Sequence, residues 1–371
     1  MIDAPGPWGT GPFTLVEGHS SLENEIAIIG ADPLNAIWLD THEDRSDRVV
    51  LEAFPDHWNK ERGPRLERVI FRNDISSAEA LDLVCNTEGE MDIVTEVSPA
   101  DAEKVENSEH ARLVTTDSMR ILACVINRDA EPFGNTEARK ALNLAVDREK
   151  LIQEGFKGYA YPLAGLIPHY AAGYSEEKEP YPHDPEKAKK LLQEAGYPEG
   201  RALRLATPAD LEGLAGLLAD DLRSALGIEV DVISIPMQDM LSAQHGFVEK
   251  TLDLPFDLLV HAWFDLTADA PAAFMHSWFY HSGGAFRAGP PVPQFEELME
   301  RYVREIDPEK LNQLDTDMDQ LAYDEALSVF LCAPQALYAV NEHVNFVGHA
   351  TTFEVAETEV TEDHWSRRED T

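Results

Sequence analysis

The chain has 371 residues, 43% of them hydrophobic, which is enough to build two domains or one large two-lobed one. Its 69 acidic residues against 30 Lys and Arg leave a formal net charge of −39. That balance excludes nucleic acid or an anionic membrane as a direct partner, because tracking phosphates needs clustered cations and the sequence has none. The acids are spread along the chain, in "THEDRSDR", "YSEEKEPYPHDPEK" and "DTDMDQLAYDE". Spread acids suit a surface kept hydrated in high salt, so a halophilic source is expected and the charge says little about function.

No stretch approaches the roughly 20 apolar residues of a membrane span. The first residues form neither a basic nor an apolar leader segment, so no secretory signal is expected. The three cysteines, Cys85, Cys124 and Cys332, show no CxxC or zinc spacing. Cys124 and Cys332 lie in apolar runs and read as buried small hydrophobes.

In chain order, "RVVLEAF" and "RLERVIF" read as strands on either side of the turn "PDHWNKERGP", the second with the alternation of a half-buried strand. "SSAEALDLVCNTEGEMDIV" reads as helix, turn and short strand. "SPADAEKVEN" predicts a helix capped by Ser98, with Pro99 at its first position. "MRILACVIN" is a buried strand. "DPEKAKKLLQEAGYP" predicts a helix capped by Asp184, with Pro185 in its first turn, an apolar face of Ala188, Leu191, Leu192 and Ala195, and Gly196 at its end. "ALRLAT", "IEVDVISI" and "PFDLLVHAWF" read as strands separated by the helices "ADLEGLAGLLADDLRSALG" and "MQDMLSAQHG". Strands alternating with helices predict βαβ units in a mainly parallel sheet. Two amphipathic helices, "QFEELMERYVREI" and "PEKLNQLDTDMDQLAYDEA", precede the strands "SVFLCA" and "ALYAV". The polar tail "ATTFEVAETEVTEDHWSRREDT" is expected to be mobile or loosely docked.

No dinucleotide, P-loop, nucleophile-elbow or HExxH motif is present. His261, His276 and His281 lack the spacing of metal ligands and read as loop and cleft residues, so no metal and no cofactor is expected. The stretch "HAWFDLTADAPAAF" is more informative. An apolar strand ends at Trp263 and Phe264, and Asp265 and Asp269 follow in a Pro-containing loop. Ligand sites of open α/β sheets lie beyond the carboxyl ends of strands. There a carboxylate can pair with a ligand ammonium and an indole can form a flat wall. Equally, Asp269 can cap the next helix.

Several blocks then fall into place together. "GTGPF" at Gly9–Phe13, "LEAFPDHWNKERGPRLERVIFR", "GEMDIV", "INRDAEPFGNTEARKALNLAVDREKLI", "YPHDPEKAKKLLQEAGYP", "FDLLVHAWFDLTADAP" and "ALYAV" run in the order seen in one family. The chain resembles the solute-binding proteins of ABC transporters of the oligopeptide, dipeptide and nickel type (family 5). The resemblance covers most of residues 9–348. It implies an α/β, periplasmic-binding-protein-like class II fold of two lobes with the first lobe incomplete. Residues 1–127 would be the partial first lobe, to which 336–350 return as a strand. Residues 128–335 would be the second lobe, and 351–371 an acidic tail.

The resemblance further implies a peptide or similar small cationic ligand held between the lobes and delivered to ABC permease subunits in the membrane, with no catalysis. Trp263 matches the family's Trp. The carboxylate that pairs with a peptide amino terminus maps to Asp265, one residue early, or to Asp269 in a lengthened loop. Phe264 and Asn127 complete the candidate ligand-binding set. By resemblance the protein works at the outer face of the membrane, or in the cytoplasm if Met1 is the true start. Two other readings are a cytoplasmic sensor built on the same scaffold and a hydrolase using His261, His276, His281 and Asp265. Family chains carry a substantial segment before "GTGPF". An unpaired sheet edge is therefore expected near residues 9–16, with the segment 18–47 as its cover.

Overall fold

The computed structural model describes residues 9–28, 36–118, 120–236, 256–264, 273–284, 286–349 and 353–368. The helix expected over "MQDMLSAQHG" lies outside them. The chain divides into two compact units. One comprises Met1–Ala27, Trp38–Asp117 and Ala336–Thr371, the other Ile28–Ile37 and Ser118–Gln335. The strand "ILACVI" belongs to the larger of these two units.

The smaller unit begins with β1 (Phe13–Glu17), and β2 (Ser20–Ile28) pairs with β3 (Ala36–Arg45) in a two-stranded sheet. β4 (Arg48–Ala53) and β5 (Arg68–Arg72) complete a sheet of order β1-β4-β5. Among the described residues β1 has one strand partner, β4, so it is an edge strand. The segment expected to cover that edge pairs within itself, β2 with β3. α1 (Ser77–Asn86) is capped by Ser76, whose side chain accepts the Glu79 N–H, and it buries Ala80, Leu81, Val84 and Cys85. β6 (Ile93–Val94), α2 (Ala102–Glu106) and β7 (Ala111–Thr116) follow. α2 starts later than expected. The Ser98 hydroxyl accepts the Asp101 N–H and donates to the Asp101 carboxylate, closing a turn before the helix instead of capping it.

The larger unit is built on one six-stranded sheet. Its elements are β8 (Arg120–Ile126), α3 (Thr136–Leu144), α4 (Arg148–Phe156), β9 (Ala160–Pro162), α5 (Pro185–Glu194), β10 (Leu203–Pro208), α6 (Glu212–Leu226) and β11 (Val230–Ile235). They continue with β12 (Leu258–Phe264), α7 (Ala273–Tyr280), α8 (Pro293–Tyr302), α9 (Pro308–Asp324) and β13 (Ser328–Pro334). The strand order is β11-β10-β12-β8-β13-β9. β10 runs parallel to β11 and β12, but the β12–β8, β8–β13 and β13–β9 ladders are antiparallel. The mainly parallel sheet expected from the βαβ pattern is therefore a mixed one. β8 and β13 arrive from outside a βαβ unit, and being buried on both faces they read as apolar runs whichever way they point. The expected caps hold: Asp184 accepts the Lys187 N–H, and Gly227, at φ +71°, ends α6.

The block "EARKALNLAVDRE" staples helices to β13. The buried Arg148 guanidinium donates to the carbonyls of Asn143, Tyr181 and Phe330, and Arg139 donates to those of Phe133, Gly134 and Glu325. The Asn143 amide donates to Ser328 O and accepts from Phe330 N–H. These side chains satisfy buried backbone acceptors that would otherwise each cost about 1–3 kcal/mol.

The chain then returns to the smaller unit as β14 (Ala336–Asn341), seated between β6 and β7, followed by β15 (Val344–Asn345) and β16 (Glu359–Val360). Of the two expectations for the C-terminal stretch, docking is the one its described residues show. Val355, Ala356, Thr358 and His364 are buried, and both His364 and Trp365 hydrogen-bond the Asp92 carboxylate at 3.0 Å. All three cysteines are buried and free.

Candidate functional site

β12 is fixed at its start by Asp257, a fully buried carboxylate that accepts the Arg204 N–H at 2.8 Å and pairs with the guanidinium groups of Arg201 and Arg204. From there the strand runs to Trp263 and Phe264. Phe264 lies opposite Arg120 at the start of β8. The antiparallel ladders bring Pro334 of β13 and Ala160 of β9 to this same end of the sheet. Trp263 thus stands at the carboxyl end of a strand inside a mixed α/β sheet, where the sequence places it. Asp265 and Asp269 lie outside the described residues.

Asn127 is not brought to that end. It follows β8, beside the start of β12. Its N–H donates to Asp257 O, its amide donates to Phe256 O at 3.1 Å, and its Oδ1 accepts the Asp129 N–H. Six strand steps separate the two positions, roughly 20 Å. Asn127 acts here as a buried joint of the sheet.

Trp263 and His261 project from the same face of β12, two residues apart. Trp278 stands 4.7 Å from Trp263, ring centre to ring centre and at 65°, and Phe286 stands 4.9 Å from His261. Phe279 of α7 touches both rings. The edge-on geometry is the one ring quadrupoles favour. The Nε2 of His261 and the Nε1 of Trp263 are buried without a hydrogen-bond partner. Burial pushes the His261 imidazole down to about 4, so the ring is neutral near pH 7. Both side chains line a cavity of about 10 Å³, shared with Cys124 and Ser328. That is one water-sized sphere, far below the few hundred Å³ of a ligand pocket. The ring cluster therefore sets the posture of Trp263 and is not itself the ligand site.

Of the other two histidines, His276 departs from the place expected of it. His276 is no cleft residue: it is fully buried on α7, with Nε2 2.8 Å from Asp319 of α9. The same carboxylate accepts the Leu166 N–H at 2.8 Å and pairs with the buried Lys178 ammonium. His281 lies at the surface, 3.2 Å from Glu296. Among the described residues no three His, Cys, Asp or Glu side chains are grouped so as to hold a metal. None of the described helices is long and apolar enough to cross a membrane.

The Asp319 cluster was not visible in the sequence. What it holds is the segment between β9 and α5, some of whose aromatic residues stand in the open. Tyr174 is 36% exposed, and beside the segment Tyr161 of β9 is 39% exposed. The sequence signal was "IPHYAAGY", aromatics without helix or strand periodicity.

Comparison with known proteins agrees with the fold. Residues 4–286 match the family model described as bacterial extracellular solute-binding proteins, family 5 Middle. The glutathione-binding protein GsiB of Salmonella choleraesuis is 30% identical over 191 residues, 51% of this chain and 36% of that protein. GsiB of Pectobacterium atrosepticum is 33% identical over 156 residues, 42% of this chain and 30% of the relative. The chain thus spans about a third of the length of the curated relatives it matches. Among solved structures, the ABC transporter substrate-binding protein CtaP of Listeria monocytogenes superposes with a TM-score of 0.75 at 20% identity, over 95% of this chain and 67% of that one. The periplasmic binding protein DppA of Helicobacter pylori, in complex with the peptide STSA, gives 0.65 at 21%, over 95% and 63%. By its family match and its fold, the chain belongs to the family 5 extracellular solute-binding proteins.

Proposed function

We propose that this chain is the ligand-binding component of an ABC importer. It binds a peptide or similar small cationic ligand at the outer face of the membrane and hands it to permease subunits, without catalysing any reaction. The observation that carries this reading is the half-buried Trp263 at the carboxyl end of β12, locked in posture by Trp278, Phe279 and His261. A preset indole wall is worth having where an apolar surface must meet a ligand repeatedly. Asp265 and Asp269 follow it directly in sequence and supply the carboxylate for a ligand ammonium. Glutathione, for which the GsiB relatives are named, and the peptide STSA held by the structurally similar DppA support a peptide-like ligand.

The test is isothermal titration calorimetry in molar KCl with di- to pentapeptides, glutathione, free amino acids and Ni²⁺. Micromolar or tighter binding of a peptide, weakened at least tenfold in Trp263→Ala and in Asp265→Asn or Asp269→Asn, is the expected result. Absence of binding across the panel, with the chain folded by circular dichroism, would overturn the reading.

A further inference from the structure

The 22 residues from 163 to 184, between β9 and α5, contain no helix or strand. Irregular segments longer than about 12–15 residues are uncommon inside compact domains and are usually functional. This one is held firmly. Asp319 takes the Leu166 N–H and the Lys178 ammonium, the Thr316 hydroxyl donates to Gly173 O at 2.8 Å, and the Tyr181 hydroxyl donates to Tyr323 O.

What the segment and the adjoining β9 present is a group of aromatic rings. His169 is its hub, with ring-centre distances of 4.4 Å to Tyr161, 5.0 Å to Tyr170 and 6.4 Å to Tyr174. The three tyrosine planes stand at 66°, 78° and 81° to the imidazole. Tyr161 and Tyr174 are exposed, and Gln335 donates to the Tyr161 hydroxyl at 3.1 Å. Charge completes the picture. The only lysine or arginine of this stretch, Lys178, is buried on Asp319, so the exposed charges that follow Tyr174 in the chain are the carboxylates of Glu176, Glu177 and Glu179. Ring faces beside carboxylates recognise cations, through the ring quadrupole and through charge-assisted hydrogen bonds.

The cluster also has a definite position. β9 meets β13 with Ala160 opposite Pro334, at the sheet end where β12 presents Trp263. Three inter-strand spacings separate β9 from β12, roughly 14 Å. An extended peptide covers that in about four residues.

We propose that the Tyr161–His169–Tyr174 cluster is a subsite for a guanidinium or ammonium group. Resting on the peptide-binding reading above, it takes a basic side chain three or four residues from the end held near Trp263. A free organic cation offers the same chemistry, and the experiment separates the two sources.

The experiment is calorimetry on the full chain with Ala-Ala-Arg-Ala, Ala-Ala-Ala-Arg and Ala-Ala-Ala-Ala. Ring-carbon NMR shifts of Tyr and His are followed separately with argininamide and its neutral analogue citrullinamide. Expected are about a tenfold preference for one arginine peptide over tetra-alanine, its loss in the double variant Tyr161→Ala/Tyr174→Ala, and its retention in Tyr161→Phe/Tyr174→Phe. Affinity for tetra-alanine should be unchanged in both variants. Equal binding of arginine and alanine peptides, or a preference that survives removal of both rings, overturns the subsite while leaving peptide binding intact. If no peptide binds the native chain, the peptide reading fails and argininamide decides. Shifts of the cluster rings with argininamide but not citrullinamide, abolished in the Ala variant, keep a free-cation site, and their absence removes it.

Discussion

His261 should make the larger unit sensitive to acid in a way that one substitution reveals. Its Nε2 is buried and unpartnered, and burial lowers its titration from 6.5 to about 4. Between those values the unfolded chain carries a proton that the folded chain refuses. Stability from this group is therefore intact above about pH 6.5 and falls as the pH drops towards 4. At about 1.4 kcal/mol per pH unit, the loss reaches about 2.5 kcal/mol by pH 4.5. The 69 acidic residues also titrate in this range, so the native chain alone cannot isolate the effect. The informative comparison is His261→Phe. It keeps a ring among Phe279, Phe286 and Trp263 and removes both the titration and the unpaired nitrogen. Urea unfolding at pH 7 and pH 4.5 in molar KCl should show the variant gaining about 2.5 kcal/mol on the native chain between the two conditions. A gap that stays constant between the two pH values refutes the reasoning, as does a His261 NMR titration midpoint near 6.5.

Four further outcomes follow from the structure and the charge. Asp319→Asn leaves the Lys178 ammonium buried without its counter-charge and should cost about 3–5 kcal/mol in urea unfolding, whereas Asp319→Leu with Lys178→Met should recover only part of that loss, because the Leu166 N–H and His276 Nε2 lose their partner. Gly289→Ala places a Cβ 2.6 Å from the Arg128 Cβ at φ +113°, and calorimetric melting should show a loss of about 1–3 kcal/mol. By contrast, Gly213→Ala and Gly216→Ala on α6, which meet no atom within 4 Å, should each gain up to about 1 kcal/mol. Raising KCl from 0.1 to 2 M shortens the screening length from about 10 Å to below 3 Å. At a net charge of −39 the melting temperature should therefore climb steeply, and a flat profile removes the halophilic reading.

Local features of the fold were legible because local chemistry makes them. Asp184 caps α5 through a contact three residues long, and Gly227 ends α6 because the left-handed turn there is costly for other residues. Trp263 could be placed from the strand that precedes it. What could not be read was set by distant partners. The acids of "LDTDMDQ" look like the solvated face of an amphipathic helix, yet Asp315 and Asp319 are buried. Nothing within four residues says that Asp319 finds a buried partner and the half-buried Asp317 does not. Its partners are Lys178, 141 residues away, and His276, 43 away. A sequence with 69 acids conceals the few that face inward, because periodicity reports where a residue points and not what waits there. The same argument bears on the aromatic cluster. Its rings are scattered over an irregular stretch with no period to read. They become a surface because distant partners fix that stretch, Asp319 in two places and Thr316 and Tyr323 in two more, so the recognition proposed for Tyr174 depends physically on Asp319, which no ligand needs to touch.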